Sequence, residues 1–184
     1  MMLERYEKFL EEFDGALAKY FDLHKDYIKC KKGCTDCCIK GEYPYSRLEA
    51  EYLMQEFLNL PKDIKDDIRR NIIILKEEKL KHKGERYTYT CPFLVNSECA
   101  VYSHRGIDCR TYGLACLQKD GKIKLPNCTK LGLNYSELYN PETKEVNITD
   151  PITQDLRIDK CLRSPLAEKY ELECGEIRPL IDWF

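Results

Sequence analysis

The chain has 184 residues, of which 43% are hydrophobic and 34% charged, and its formal net charge is -2. This length and composition predict one folded domain over residues 1–184, with room for a buried core, and they exclude an intrinsically disordered chain. The balanced charge gives no general attraction to nucleic acid or acidic membranes, and no apolar run approaches the roughly 20 residues of a membrane span.

The N-terminal segment predicts a long amphipathic helix that ends at about Asp26. Its apolar residues recur at alternating steps of three and four, as is typical of one buried helix face: Leu3, Tyr6, Leu10, Phe13, Leu17 and Tyr20. Because this segment is charged and does not resemble a secretory signal, it predicts a cytoplasmic protein.

Two further helices are predicted before the middle of the chain. Ser46 and Glu49 form a capping box at the start of the second helix. The third helix begins with Pro61 and ends at Gly84. The residues predicted to face the core are Leu48, Tyr52, Leu53 and Phe57 in the second helix, and Ile64, Ile68, Ile72 and Leu75 in the third.

The middle of the chain predicts short hairpins and turns. The first hairpin turns at Asn96-Ser97, Ser103 caps a brief helical turn, and the second hairpin turns at Asp120-Gly121. Towards the C-terminus, helices are predicted to start at Asp150-Pro151 and Ser164-Pro165 and to stop at Gly175. The predicted fold class is mainly α with a small β and loop part (α+β), in which helices frame a cysteine-rich metal-binding centre.

Four cysteines, Cys30, Cys34, Cys37 and Cys38, fall within nine positions. In a reducing compartment such clusters are more often metal ligands than disulfides, and thiolates select zinc or iron–sulfur centres. Cysteines two or three residues apart can turn toward one centre, because Zn–S bonds are only about 2.3 Å long. Cys30, Cys34 and Cys37 have this spacing, whereas Cys38 either bends the backbone or serves a second centre.

A disulfide scaffold is the weaker interpretation. The chain has eleven cysteines, an odd number, and a bridge between the adjacent Cys37 and Cys38 would form a strained ring. The three Asn-X-Ser/Thr sequences, at Asn127, Asn134 and Asn147, are then coincidental, since glycosylation requires the secretory path.

Four more cysteines follow the cluster in order, in the stretches CPFL, ECAVY, YSHRGIDCR and PNCTKLG. With them, the chain resembles the CxxCxxCC cysteine-cluster family, which is described as a zinc- or iron-chelating domain and is similar in this region to flagellin lysine N-methylase. The family pattern opens with C-x2/3-C-x2-C-C, continues with C-P-F-L and C-x-I-Y-x-x-R-P-x-x-C-R, and ends in a C-P-G-like stretch. The resemblance covers about residues 30–132.

The match has two departures. Tyr102, Arg105 and Arg110 agree with the family pattern, but Gly106 stands where the family usually has proline, which is expected to loosen the turn. Thr129 and Lys130 replace a Pro-Gly pair. The resemblance implies eight metal ligands, enough for two four-thiolate centres: Cys30, Cys34, Cys37, Cys38, Cys91, Cys99, Cys109 and Cys128.

The remaining candidates carry weaker expectations. Cys161 and Cys174 are expected to be buried small side chains, and whether Cys116 is a ligand stays open. Arg105 and Arg110 either place positive charge near thiolates or form surface ion pairs. The three histidines, His24, His82 and His104, are possible further ligands.

The sequence therefore predicts a metal-binding protein with at least one iron–sulfur centre, 4Fe–4S in the first instance, and/or a zinc centre. Such a centre could serve redox chemistry or the modification of a protein, and the expected partner or substrate is a protein. The alternative is a zinc-stapled binding module without catalysis. A radical S-adenosylmethionine enzyme, suggested by the C-x3-C-x2-C spacing, is less favoured because the chain lacks the strand–helix alternation of a barrel. No catalytic residue is identified, and enzyme status and oligomeric state stay open.

Overall fold

A computed structural model describes residues 1–31, 33–148, 152 and 154–184 of the protein. The structure is about 49% helical and carries small antiparallel sheets, in agreement with the predicted α+β class. The α-helices within the described residues are α1 (Met2–Leu23), α2 (Asp36–Ile39), α3 (Arg47–Asn59), α4 (Lys62–Lys81), α5 (Ile107–Thr111), α6 (Ile158–Cys161) and α7 (Pro165–Lys169). Short 3-10 turns cover Lys25–Tyr27, Tyr102–His104, Asn127–Leu131 and Leu180–Trp183.

The strands form three antiparallel pairs in the described part of the chain. They are β1 (Pro44–Ser46), β2 (Leu94–Val95), β3 (Glu98–Cys99), β4 (Cys116–Leu117), β5 (Ile123–Lys124) and β6 (Ile177–Pro179). The pairs β2–β3 and β4–β5 are the two predicted hairpins. Asn96 and Ser97 both have positive φ, 51° and 61°, which suits the tight turn that matches the twist of paired strands.

The predicted face of α1 is confirmed and forms the first of three apolar clusters. Tyr6, Leu10, Phe13, Leu17 and Tyr20 are buried, together with Phe9, while Leu3 packs at the edge. These side chains contact the start of α3 and the short helices α5, α6 and α7. The helix ends at Leu23, three residues before the predicted Asp26, and a 3-10 turn leads to the cysteine cluster.

The second apolar cluster lies between α3 and α4. The predicted capping box of α3 is confirmed: Ser46 Oγ accepts the Glu49 N–H, and the Glu49 carboxylate accepts the Ser46 N–H at 2.8 Å. Helix α4 begins after Pro61, which caps it, and ends at Lys81, before the predicted Gly84. The cluster is closed by the C-terminal turn and by residues around the first hairpin: Tyr43, Tyr45, Leu53, Phe57, Ile68, Leu75, Tyr89, Phe93, Val101, Leu180 and Ile181.

Two of the predicted helix boundaries, at Ser103 and Gly175, need correction. Ser103 does not cap the helical turn, because α5 begins after Gly106 and Ser103 itself lies inside a 3-10 turn. Gly175 ends no helix, since α7 already ends at Lys169; its positive φ of 71° instead leads the chain into β6. The Ser164-Pro165 start is confirmed, with Ser164 Oγ accepting the Ala167 N–H at 3.2 Å, whereas Asp150-Pro151 lies outside the described residues.

The pairing of β1 with β6 joins residues that are far apart in the chain. Tyr45 is opposite Arg178, and the pair holds the C-terminal segment beside the start of α3. A third, small apolar cluster of Ala115, Tyr135 and Ile152 lies next to the second hairpin. In the described ranges, no helix combines the length and apolar character that crossing a membrane requires.

Gly15 offers a test of the helical geometry of α1. It is exposed in mid-helix, and a Cβ added there would meet no heavy atom within 4 Å. We expect Gly15→Ala to raise the free energy of unfolding by about 0.5–1 kcal/mol in urea denaturation, because alanine loses less backbone entropy in a helix. Gly121→Ala is the control: its surroundings are equally open, but its φ of 77° should make the same change destabilising by about 1 kcal/mol. Stabilisation by both variants would contradict the described backbone.

Candidate metal centre

The two cysteine-bearing segments, residues 30–38 and 91–128, lie side by side although α3 and α4 separate them in the chain. The Cys91 N–H donates to the Cys38 carbonyl at 2.8 Å. Gly41 and Tyr89 form an isolated antiparallel bridge, and Thr90 Oγ1 donates to the Ile39 carbonyl at 2.7 Å. Backbone hydrogen bonds therefore hold the opening cluster against the CPFL segment.

One set of sulfurs, the first thiol group, consists of Cys30, Cys34 and Cys128. Cys128 is buried in the 3-10 turn Asn127–Leu131, whereas Cys30 is exposed. A hydrogen bond from the Cys128 thiol, with support from the amide of Asn134, lowers the pKa of Cys30 to about 6 and raises the pKa of Cys128. Cys34 also contacts Cys30, and its thiol donates to Asp36 Oδ2 at 3.3 Å. Cys30 and Cys128, one from each segment, are thus close enough for each to affect the pKa of the other.

The second thiol group consists of Cys37, Cys38, Cys91, Cys99 and Cys109. The sulfurs of Cys37 and Cys38 are 3.7 Å apart, and a hydrogen bond between them lowers the pKa of Cys37 and raises that of Cys38. Burial raises the pKa of Cys91 well above its usual range, and the neighbouring charges of Cys109, Cys99 and Cys37 add to that shift. Burial also raises the pKa of Cys109 to about 12.

The thiols are neighbours but do not form a closed coordination sphere. Across the described residues, no set of three or more His, Cys, Asp or Glu side chains is arranged to hold a metal ion. All eleven cysteines lie within those residues as free thiols. Thiolate sulfur is a donor type that zinc and iron–sulfur centres accept. The present contacts among these sulfurs include the 3.7 Å approach of Cys37 to Cys38.

Arg105 and Arg110, which both match the family pattern, have different surroundings. Arg105 lies beside Cys37 and Cys99, where its charge favours the thiolate forms, and its guanidinium stacks 3.9 Å from the centre of the Tyr102 ring. Its Nε is buried and has no hydrogen-bond partner among the described residues. Arg110 instead pairs with Asp14 and donates to the carbonyls of Arg105 and Ser103, so it serves the structure and does not face a sulfur.

Gly106 is not a loosened turn, contrary to the prediction. Its N–H donates to the hydroxyl of the buried Tyr45 at 2.9 Å, a bond that proline could not make. A Cβ on Gly106 would lie 2.8 Å from Glu49 Oε1, so the position is tightly packed. The Tyr45 hydroxyl also lies 3.6 Å from Cys109 Sγ. Because its oxygen already accepts the Gly106 N–H, its proton is free to point at the sulfur.

Asn134 is part of this region and was predicted only as a coincidental glycosylation sequence. It is fully buried, and its side chain donates to the Cys30 sulfur and accepts the backbone N–H groups of Lys29 and Cys30. In the sequence, Asn134 is distinguished only by its position six residues after Cys128. No general sequence rule connects that position with a structural role.

The cysteines outside the two thiol groups have other surroundings. Cys161 is buried in the first apolar cluster, as expected, whereas Cys174 is only half-buried and packs against the edge of that cluster. Cys116 lies in β4, where burial raises its pKa and its charged neighbours include Lys124 and Asp155. The structure does not bring these three sulfurs into either group.

The histidines also lie apart from the thiols. His24 is fully buried, with its ring 4.6 Å from that of Tyr20. The His104 ring stacks on Tyr52 with 4.3 Å between the centroids. His82 is beside Tyr87 after the end of α4. Their rings thus contact tyrosines, and within the described ranges no histidine joins a set of side chains arranged to hold a metal ion.

No family model, curated protein or solved structure matches this chain. The resemblance to the cysteine-cluster family therefore stays an expectation that rests on the order and spacing of the cysteines.

Proposed function

We propose that this chain is a metal-binding protein that holds at least one iron–sulfur or zinc centre through cysteine thiolates. The observation that carries the proposal is the proximity of thiols from both cysteine-bearing segments. Cys30 and Cys128 affect the pKa of each other, and Cys37 and Cys38 interact electrostatically with Cys91 and Cys109. A centre in either thiol group would therefore take sulfurs from both segments.

The donor set fits a soft metal centre in charge as well as in type. A four-thiolate site is anionic, and the guanidinium of Arg105 lies beside Cys37 and Cys99 with its Nε unpartnered among the described residues. A buried donor without an acceptor is costly, and a thiolate would relieve that cost. Binding would require the thiols to release their protons and the side chains to turn inward, because metal ligands bind as thiolates.

When bound, an iron–sulfur cluster would supply electron transfer, and zinc would supply a rigid cross-link. The chain's own part is to orient and enclose the sulfurs. Tyr45 directs its hydroxyl at Cys109, and Asn134 directs its amide at Cys30. The cysteines of the second thiol group are all half-buried, whereas the first group opens to the surface at Cys30.

One observation favours the alternative, a zinc-stapled binding module. The β2–β3 hairpin has only two residues in each strand, and such a hairpin is not stable alone. Cys99 lies in this hairpin and Cys91 just before it, so that a metal bound to both would cross-link it to the rest of the chain. We retain the iron–sulfur function as the first proposal and place the protein in the cytoplasm, with a protein as partner or substrate.

Metal analysis together with a visible spectrum tests the proposal, on protein purified without oxygen. Iron with acid-labile sulfide and a brown colour would support the iron–sulfur function, and colourless protein with stoichiometric zinc would support the stapled module. Protein without bound metal that also fails to take up either ion would overturn both. Thiol titration in denaturant with chelator is expected to find all eleven cysteines reactive, and intact disulfides would contradict the proposed thiolate chemistry.

A further inference from the structure

The side chain of Asn134 uses all of its hydrogen-bonding groups at the entry to the first thiol group. Its Oδ1 accepts the backbone N–H of Lys29 at 2.8 Å and that of Cys30 at 3.0 Å. Its Nδ2 donates to the Gly113 carbonyl at 2.8 Å and to Cys30 Sγ at 3.2 Å. One fully buried amide thus fixes both the backbone and the sulfur of Cys30.

These contacts also determine which way the amide points. If its oxygen and nitrogen were exchanged, the NH2 group would face two backbone N–H donors and the oxygen would face the Gly113 carbonyl. Both arrangements are repulsive, so only the orientation with the NH2 group towards Cys30 Sγ satisfies the surroundings. The N–H···S contact is therefore required by the backbone around it.

The residues around Asn134 leave room for its Nδ2 to approach Cys30 Sγ. Gly113 has a φ of 97°, and a Cβ there would lie 2.8 Å from Asn134 Nδ2 and 3.4 Å from Cys30 Sγ. Thr129, next to the buried Cys128, donates its hydroxyl to the Asn134 carbonyl at 2.7 Å. Asn134 is thereby tied to the segments that carry both Cys30 and Cys128.

We propose that Asn134 is a positioning residue for the metal centre, holding the backbone and the sulfur of Cys30 in place through its Oδ1 and Nδ2 hydrogen bonds. This inference rests on the proposed metal-binding function. A hydrogen bond to a thiolate ligand favours its charged form and changes its donor strength, and loss of such outer contacts typically weakens metal binding about 10–100-fold. Hydrogen bonds to the sulfurs also set the reduction potential when the centre is an iron–sulfur cluster.

Asn134→Asp removes the Nδ2 donor and keeps the Oδ1 acceptor. A carboxylate still accepts the N–H groups of Lys29 and Cys30, but it can donate neither to Cys30 Sγ nor to the Gly113 carbonyl. We expect zinc, titrated into metal-free protein against a chromophoric chelator, to bind about 10–100-fold more weakly to this variant. With cobalt(II) as the probe, the sulfur-to-metal absorption band should shift, which a change in folding stability alone would not produce.

Asn140→Asp is the matched control. Asn140 also accepts two backbone N–H groups through its Oδ1, from Glu142 at 2.9 Å and Thr143 at 3.2 Å, but its contacts involve no cysteine. This variant should bind both metals like the wild type. If Asn134→Asp does not fold, Asn134→Ser, which also lacks the Nδ2 donor, takes its place.

The outcomes distinguish the inference from the function on which it rests. Weaker zinc binding and a shifted cobalt spectrum in the Asn134 variant, with the Asn140 variant unchanged, support the inference. Wild-type affinity and spectrum in both variants overturn it and leave the metal function intact. A wild-type chain that binds neither zinc nor cobalt overturns the metal function and the role of Asn134 with it.

Discussion

Cys91→Ala is expected to lower the metal content of the purified protein by about one equivalent per chain and to destabilise the metal-loaded protein strongly. Cys91 belongs to the second thiol group, and its N–H joins the CPFL segment to the Cys38 carbonyl. Because a metal site rarely forms in an unfolded chain, its binding energy becomes folding energy. Loss of one thiolate should therefore appear both in metal analysis and in the melting temperature.

Two comparisons make this result specific to metal. Cys174→Ala removes a sulfur that packs against the edge of the first apolar cluster, outside both thiol groups, and its metal content should equal that of the wild type. In chelator-treated protein, the difference between Cys91→Ala and the wild type should shrink to the cost of a small packing defect, about 1 kcal/mol. Equal metal content in the Cys91 and Cys174 variants would mean that Cys91 is not a ligand.

Glu49→Ala is expected to lower the free energy of unfolding by about 3–5 kcal/mol, because it leaves several buried donors without an acceptor. Glu49 is fully buried, and burial raises the pKa of its carboxyl group. Its Oε2 accepts the N–H and the hydroxyl of Ser46, and its Oε1 accepts the Ile107 N–H, each at 2.8 Å. One carboxylate thus joins the start of α3 to the start of α5, the helix that carries Cys109.

Glu51→Ala is the control on the same helix. Glu51 is exposed, and its ion pair with Arg47, 2.8 Å between Arg47 Nε and Glu51 Oε1, should be worth at most about 0.5 kcal/mol. Chemical denaturation of both variants in chelator-treated protein measures the difference without a contribution from metal. A similarly small effect of both changes would show that the buried contacts of Glu49 are not needed to hold α5.

The long helices and the hairpins could be predicted because their signals are local. The apolar spacing in α1 and the capping box of α3 act within one or two helical turns, and the structure confirms both. The turns at Asn96-Ser97 and Asp120-Gly121 depend on residues that tolerate positive φ. Errors occurred where a local signal competed with tertiary contacts: Ser103 could have capped a helix, but Glu49 supplies the acceptor at the start of α5 instead.

For the candidate site, too, local sequence features predicted one part and tertiary contacts decided the rest. The number, order and spacing of the cysteines indicate thiolate chemistry without any structure, because ligand type depends on the side chain itself. Spacing alone could not assign Cys38, which the structure places against Cys37 in the second thiol group. It also could not separate Arg105, beside the sulfurs, from Arg110, paired with Asp14.

The sequence by itself determined the α+β class, the main helices and hairpins, and the presence of a cysteine constellation, since each follows from neighbouring residues. Only the tertiary structure decided that Cys30 meets Cys128, that β1 pairs with β6, and that Asn134 and Glu49 are buried anchors. These contacts join residues that are far apart in the chain, and their partners are selected by the packing of the whole fold. Such contacts leave no periodic or local pattern, so they become visible only when the chain has folded.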